Sequence, residues 1–268
     1  MYNGYIYKYN LYSTKNLAKI SFKNAKNKLN SEIMNINSNY SPNFSKKNRP
    51  KKDIKFVIIH YTGMQSEIET IKRLKNRKFK VSCHYLINRK GLIVQMVEEK
   101  KIAWHAGKSK WKKLKNLNKN SLGIELVNKG HKFGYQSYSK KQINSLIILC
   151  KYLKKKYLIQ KDNFLGHSDI APLRKIDPGE KFPWKKLSKH KLGKWYRKKR
   201  VNFIIDKKKI RKLFFRNLKK LGYRYFNINK ENLSDKKIIL SFQQHFLPQN
   251  LTGKIDKKTY EISHFLTH

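Results

Sequence analysis

The stretch "IKFVIIHYTGM" (Ile54–Met64) decides the fold. From Ile54 to Ile59 it is a near-continuous run of β-branched and aromatic side chains without polar alternation. That is the pattern of a central strand buried on both faces. His60 follows directly, so the sequence predicts an imidazole at the end of that strand.

Working outward, "SEIETIKRL" (Ser66–Leu74) reads as a helix opened by a capping box, Ser66 with Glu69. "CHYLIN" (Cys83–Asn88) and "LIVQMV" (Leu92–Val97) flank Arg89-Lys90-Gly91 and predict a hairpin. "SLGIELVN" (Ser121–Asn128) is a second buried strand. Ser139 with Gln142 opens a long helix with Ile143, Leu146, Ile147, Cys150, Leu153 and Tyr157 on one face. A short strand then ends at Leu165-Gly166-His167 and leads into a Pro-interrupted loop. Interleaved strands and helices predict an α/β domain. Three further helical segments, "KIRKLFFRNLKKLGYRY", "KKIILSFQQHFLPQN" and "DKKTYEISHFL", predict a separate small helical domain.

The boundaries read as a flexible polar arm over 1–40, the α/β domain over 41–187, a basic linker over 188–202 and the helical domain over 203–268. The polar stretch ending in "SPNFSKKNRP" (Ser41–Pro50) still reads as part of the arm.

The chain has 268 residues with 64 Lys and Arg against 16 Asp and Glu, a formal charge of +48. Such an excess attracts polyanions in general. The lysines are scattered, however, and the bias toward Lys, Asn, Ile, Tyr and Phe is what A/T-rich codons impose on any protein. No recognition-helix or aromatic-platform motif accompanies the charge, so a specific nucleic-acid partner is not expected. Two cysteines, Cys83 and Cys150, offer neither a disulfide framework nor a cysteine zinc signature. With no signal-peptide core and no apolar run of membrane-spanning length, the expectation is a cytoplasmic monomer, the alternative being a periplasmic or wall-associated one.

His131, His190, His245, His264 and His268 lie in polar or basic surroundings and read as surface groups. His60, His167 and Asp177 are different, because two imidazoles and a carboxylate suit a catalytic zinc that keeps one position open for water. Their spacing alone does not single them out as a Cys-x-x-Cys pair would. Four blocks do: "FVIIHYTGM", "VSCHYLINRKGLIVQMVEEKKIAWHAGKSKW", "NSLGIELVN" and "LGHSDIAPLRKIDPGEKFPW", which in order and with few gaps resemble the zinc-dependent N-acetylmuramoyl-L-alanine amidases of the type 2 family. That family shares its fold with the peptidoglycan recognition proteins.

The resemblance implies a mixed central β-sheet flanked by helices, one Zn2+, and a peptidoglycan or muropeptide substrate. His60, His167 and Asp177 match the metal ligands, Glu125 the general base, and Lys175 the transition-state cation. Trp104 and His105 match a loop lining the substrate groove. His84 is expected to contact substrate or to hold the site from behind. In some family members a Tyr precedes the residue matched by His84; Cys83 stands there in this chain, which leaves the base role to Glu125. Asp169 is expected to order its loop and Glu180 to face solvent. "LKKLGYRYF" and "ILSFQQHFLPQNLTGKIDKKT" resemble a three-helix peptidoglycan-binding module. The competing reading is a non-catalytic peptidoglycan receptor on the same fold, against which the full set of ligands, base and cation stands.

Overall fold

The computed structural model describes residues 36–197 and 209–268. Its centre is a six-stranded mixed sheet of β1 (Ile36–Ser38), β2 (Phe56–Tyr61), β3 (Tyr85–Ile87), β4 (Ile93–Gln95), β5 (Ser121–Leu126) and β6 (Phe164–Gly166). The strands lie in the order β1-β4-β3-β5-β2-β6, and only the β3–β4 hairpin is antiparallel. The predicted central strand is there, with His60 inside β2 rather than beyond its end.

The helices are α1 (Glu67–Lys75), α2 (Lys140–Tyr157), α3 (His167–Ile170), α4 (Trp184–Lys189), α5 (Ile210–Leu221), α6 (Asp235–Phe246) and α7 (Lys257–Phe265). Ser66 accepts the Glu69 N–H and Ser139 the Gln142 N–H, so the caps read from the sequence start α1 and α2. Each satisfies an N–H that the first helical turn would leave without a partner.

The two faces of β2 and β5 have different tasks. Val57, Ile59, Leu122, Ile124 and Leu126 pack against Ile143, Leu146, Ile147, Cys150 and Leu153 of α2. On the opposite face the register pairs Phe56 with Ser121, Ile58 with Gly123 and His60 with Glu125. That face carries the polar groups.

Three expectations about domain limits change. The arm expected over 1–40 lies outside the described residues as far as 35, but Ile36–Ser38 adds a parallel strand to β4, so order begins before 41. Ser41–Pro50 is packed onto the body rather than free of it: Phe44–Ser45 pairs antiparallel with Ile102–Ala103, and Asn43 and Arg49 donate to backbone carbonyls of distant segments. Asn43 donates to Leu74, Asn76 and Val81. Arg49, 5% exposed, donates to the carbonyls of Glu99, Asn118, Lys119 and Ser121. The basic linker expected over 188–202 is part of the body as far as its described residues go: Leu192 is buried in the α2 core, and Trp195 packs on both sides of the sheet.

The helical segment is also not separate. Phe214, Phe215, Leu218, Tyr223, Phe242 and Phe246 share one core with Phe56, Ile58, Leu165 and Ile170 of the sheet body. The Phe-Gln pair that carried the resemblance of this segment turns inward. Phe242 is fully buried, and Gln243 donates to Thr252 and Thr259 side chains and the Lys254 carbonyl. These residues build the module instead of presenting themselves to a ligand.

Arg49→Ala leaves the buried carbonyls of Glu99 and Ser121 and the part-buried ones of Asn118 and Lys119 short of a donor, a loss of about 3–5 kcal/mol by analogy with a broken buried network. At about 2–4 °C per kcal/mol for a chain of this size, the expected fall in melting temperature is about 10 °C by scanning calorimetry. A fall under about 3 °C would show that the Ser41–Pro50 segment contributes little.

Candidate metal centre

The in-register pairing of β2 with β5 sets His60 beside Glu125 at the open end of the sheet. The chain reaches the same end again at β6, where His167 begins α3, and returns once more at Asp177. His60 Nδ1, His167 Nδ1 and Asp177 Oδ2 then stand 3.0 Å from one another in all three pairs. All three residues are buried, and among the described residues they are a group of side chains able to hold a metal ion.

Hydrogen bonds behind the imidazoles decide which nitrogen faces inward. The Ser121 hydroxyl donates to the Leu117 carbonyl at 2.6 Å, so its oxygen accepts from His105 Nε2 at 3.2 Å. Burial, then the neighbouring His60 and His84, holds the His105 pKa well below its usual value, so the ring is neutral. Its Nδ1 therefore accepts from His60 Nε2 at 3.0 Å, which leaves a lone pair on His60 Nδ1. His167 Nε2 donates in the same way to the Ala106 carbonyl at 3.2 Å and leaves Nδ1 inward. Outer partners of this kind fix tautomer and orientation at metal sites.

Two nitrogen lone pairs and a carboxylate oxygen held this close repel each other unless a cation sits among them. A tetrahedral shell with bonds of about 2.0–2.1 Å has edges of about 3.3 Å, near the separations seen. The donor set fits a divalent metal. Electrostatics agree: burial, then the facing His167, pushes the His60 pKa down to about 4.

Alternation along β5 explains the rest of this wall. Ser121, Gly123 and Glu125 share one face. A Cβ on Gly123 would lie 2.4 Å from the His105 ring, so only glycine lets that imidazole rest on the strand. Glu125 lines the groove, yet its Oε2 is sealed and has no hydrogen-bond partner. Burial first, then the Asp177 charge, pushes its pKa up to about 8, with Lys175 opposing.

The groove over these residues has a volume of about 790 Å³. Trp104, His105 and Lys175 line it, as the sequence leads one to expect, and Trp104 is anchored by its indole N–H to Ser45 Oγ. His84 does not line it. Fully buried, it accepts the Gly123 N–H on Nδ1 and stands beside Arg49, so it supports β5 from behind and is out of reach of a groove ligand. Tyr61, Arg73, Lys132 and Arg174 also line the groove, and no spacing in the sequence marks them. Arg174 pins two loops together, donating to the Ala106 and Lys108 carbonyls.

Two expected surface groups are engaged. His245 is 3% exposed and bonds Asp169, and His131 sits between Tyr61 and Glu180. Glu180 is correspondingly only partly open to solvent.

A family model described as N-acetylmuramoyl-L-alanine amidase matches residues 50–180. The N-acetylmuramoyl-L-alanine amidase AmiD of Escherichia coli is 34% identical over 229 residues, covering 80% of this chain and 82% of that protein. The 1,6-anhydro-N-acetylmuramyl-L-alanine amidase AmpD of Haemophilus influenzae is 34% identical over 164 residues, 54% of this chain and 86% of its own. The solved complex of AmiD with anhydro-N-acetylmuramic acid-L-Ala-D-γ-Glu-L-Lys superposes with a TM-score of 0.69 at 32% identity, covering 83% of this chain and 91% of AmiD. AmpDH3 of Pseudomonas aeruginosa superposes with a TM-score of 0.67 at 30% identity over 80% of this chain and 91% of that one.

Two outcomes are expected. Gly123→Ala displaces His105 and releases His60 from its tautomer, so metal affinity falls about tenfold in a chelator competition, within the range for outer-partner changes. A raised carboxyl pKa stabilises the folded state below the unfolded pKa, and that contribution is lost as pH rises toward about 8. Metal-free Glu125→Gln should therefore melt above the metal-free parent at pH 8, by on the order of 5–10 °C, with the gap closing toward pH 5. A gap independent of pH would contradict the burial of this acid.

Proposed function

We infer the reaction from the premise that this chain belongs to the N-acetylmuramoyl-L-alanine amidase family. It is an amidase that hydrolyses the amide between the lactyl group of N-acetylmuramic acid and L-alanine of the peptidoglycan stem peptide, in wall turnover or muropeptide recycling. The observation that carries this reading is the convergence of His60, His167 and Asp177 beside Glu125 in a single groove. A receptor that only binds peptidoglycan has no use for a half-buried acid with a sealed, unpartnered oxygen next to three converging side chains able to hold a metal.

We propose that His60 Nδ1, His167 Nδ1 and Asp177 Oδ2 hold a single Zn2+. When bound, zinc supplies a water acidified to near neutrality and a positive charge for the developing oxyanion. The remaining work belongs to the side chains. An amide has a weak electrophile and a poor leaving group, so a proton must leave the attacking water and reach the departing nitrogen. Glu125 is placed for both transfers: it takes the proton from the water and gives it to the L-alanine amine. Its upward-shifted pKa makes it a competent holder of that proton between the two steps. Lys175, on the groove wall, offers its ammonium to the oxyanion. His105 and Ser121 hold His60 in the tautomer that presents Nδ1. Trp104 gives the groove an apolar wall, and Arg73 and Lys132 suit the carboxylates of an acidic stem peptide.

The reading is tested with a defined muropeptide and product analysis by mass spectrometry. Stoichiometric metal removal is expected to abolish release of the stem peptide, and Zn2+ to restore it. Asp177→Ala should lose both metal and turnover, while Glu125→Gln should keep the metal and lose about 10²–10⁴-fold in kcat. Cleavage that survives complete metal removal would overturn the reading.

A further inference from the structure

The turn that carries His167 is held from outside the catalytic body. Asp169, 1% exposed, lies two residues past His167. Its Oδ2 accepts the Gly166 N–H at 2.7 Å, which closes the turn locally. Its other donors come from the helical module: the Tyr223 hydroxyl reaches Oδ1 at 2.5 Å, and His245 Nδ1 reaches Oδ2 at 2.8 Å. A third module residue, Ser241, donates its hydroxyl to the Ser168 carbonyl at 2.8 Å. The His245 ring is fixed in turn, stacked between Trp184 and Phe246 with centroids 4.0 Å away on each side.

The gripped residues lie between two metal ligands. Ser168 N–H donates to the Asp177 carbonyl at 2.9 Å, so the backbone carrying Asp177 is tied to the same turn. Gly166 must stay bare, because a Cβ there would come within 2.8 Å of the Pro178 ring. With the module still packed but its Tyr223 and His245 donors removed, Asp169 would be a buried carboxylate with one hydrogen bond, an arrangement that costs several kcal/mol and is relieved by moving the turn. Hydrogen bonds to an ionised carboxylate are about twice as strong as neutral ones, so Tyr223 and His245 are effective anchors.

We propose that the helical module is a positioning element of the metal site: Tyr223, Ser241 and His245 hold the His167–Ile170 turn through Asp169 and Ser168, and thereby set where His167 and Asp177 present their ligand atoms. This rests on the metal-site reading given under Proposed function, and it gives the C-terminal segment a role in the reaction whether or not it also touches the cell wall.

The test uses the full chain loaded with Co2+, whose visible d–d bands report ligand geometry, together with competition against a chelator. Tyr223→Phe keeps the ring and removes only the hydroxyl. It is expected to weaken Co2+ binding about tenfold and shift the bands, and the Tyr223→Phe, Ser241→Ala pair about a hundredfold, within the range for outer partners of metal ligands. His245→Asn, which keeps a donor near the Nδ1 position, should retain more affinity than His245→Leu. Ser263→Ala removes the acceptor of Asn217 inside the module, a bond that does not involve Asp169 or Ser168, and should lower the melting temperature without moving affinity or spectrum. The proposal is overturned if Tyr223→Phe leaves both Co2+ readouts at parent values, or if Ser263→Ala weakens Co2+ as much as Tyr223→Phe does. Co2+ binding that survives Asp177→Ala unchanged overturns the metal-site reading itself, so the two failures are distinguishable.

Discussion

The parallel pairing of β2 with β5 is the constraint on which the rest depends. It sets His60 and Glu125 opposite each other at the open end of the sheet, on the face away from α2. Because side chains alternate along a strand, a slip of one residue would turn both groups into the apolar core and deliver Ile59 and Ile124 to the groove. The strongly apolar side of the pairing, Val57, Ile59, Leu122, Ile124 and Leu126 against α2, therefore protects the polar side. Burying those residues fixes the register, and the register places the chemistry.

Around that pair the protein gathers groups that are unfavourable alone. Two imidazole nitrogens and a carboxylate oxygen stand 3.0 Å apart, and an acid with a sealed oxygen lies beside them. Their cost is offset by rigid backing: the Leu117–Ser121–His105 chain behind His60, the Ala106 carbonyl behind His167, and the module behind Asp169. The same backing that stabilises the site makes it specific for a cation, since it leaves lone pairs rather than protons pointing inward. Stability and function are therefore coupled here, because a cation among these three atoms would relieve their mutual repulsion.

Much of this was legible in the residues. The apolar run before His60, the caps at Ser66 and Ser139, and the hairpin at Gly91 all rest on local rules, and each formed as read. The blocks around His60, Glu125, His167 and Asp177 carried the site because each sits at a strand end or in a loop at the same edge of the sheet. What the sequence hid was long-range. Asn43 and Arg49 read as arm residues because nothing local shows which carbonyls they reach, one of them, Ser121, 72 positions further on. His245 looked like a surface group because its partner, Asp169, is 76 residues away. Trp104 and His105 were found through resemblance, whereas Tyr61, Arg73 and Lys132 had no pattern to betray them. His84 was only half read: its connection to the site is real, but it runs through Gly123 and Arg49 rather than through the groove.

We propose that one metal ion is held by these three side chains and no others of this chain. Anomalous diffraction across the zinc edge, from crystals of the full chain grown with equimolar Zn2+, measures that directly. A single strong peak per chain is expected, within bonding distance of His60 Nδ1, His167 Nδ1 and Asp177 Oδ2, with Glu125 near it but not bonded. A peak elsewhere, or one bonded to Glu125 in place of Asp177, would contradict it.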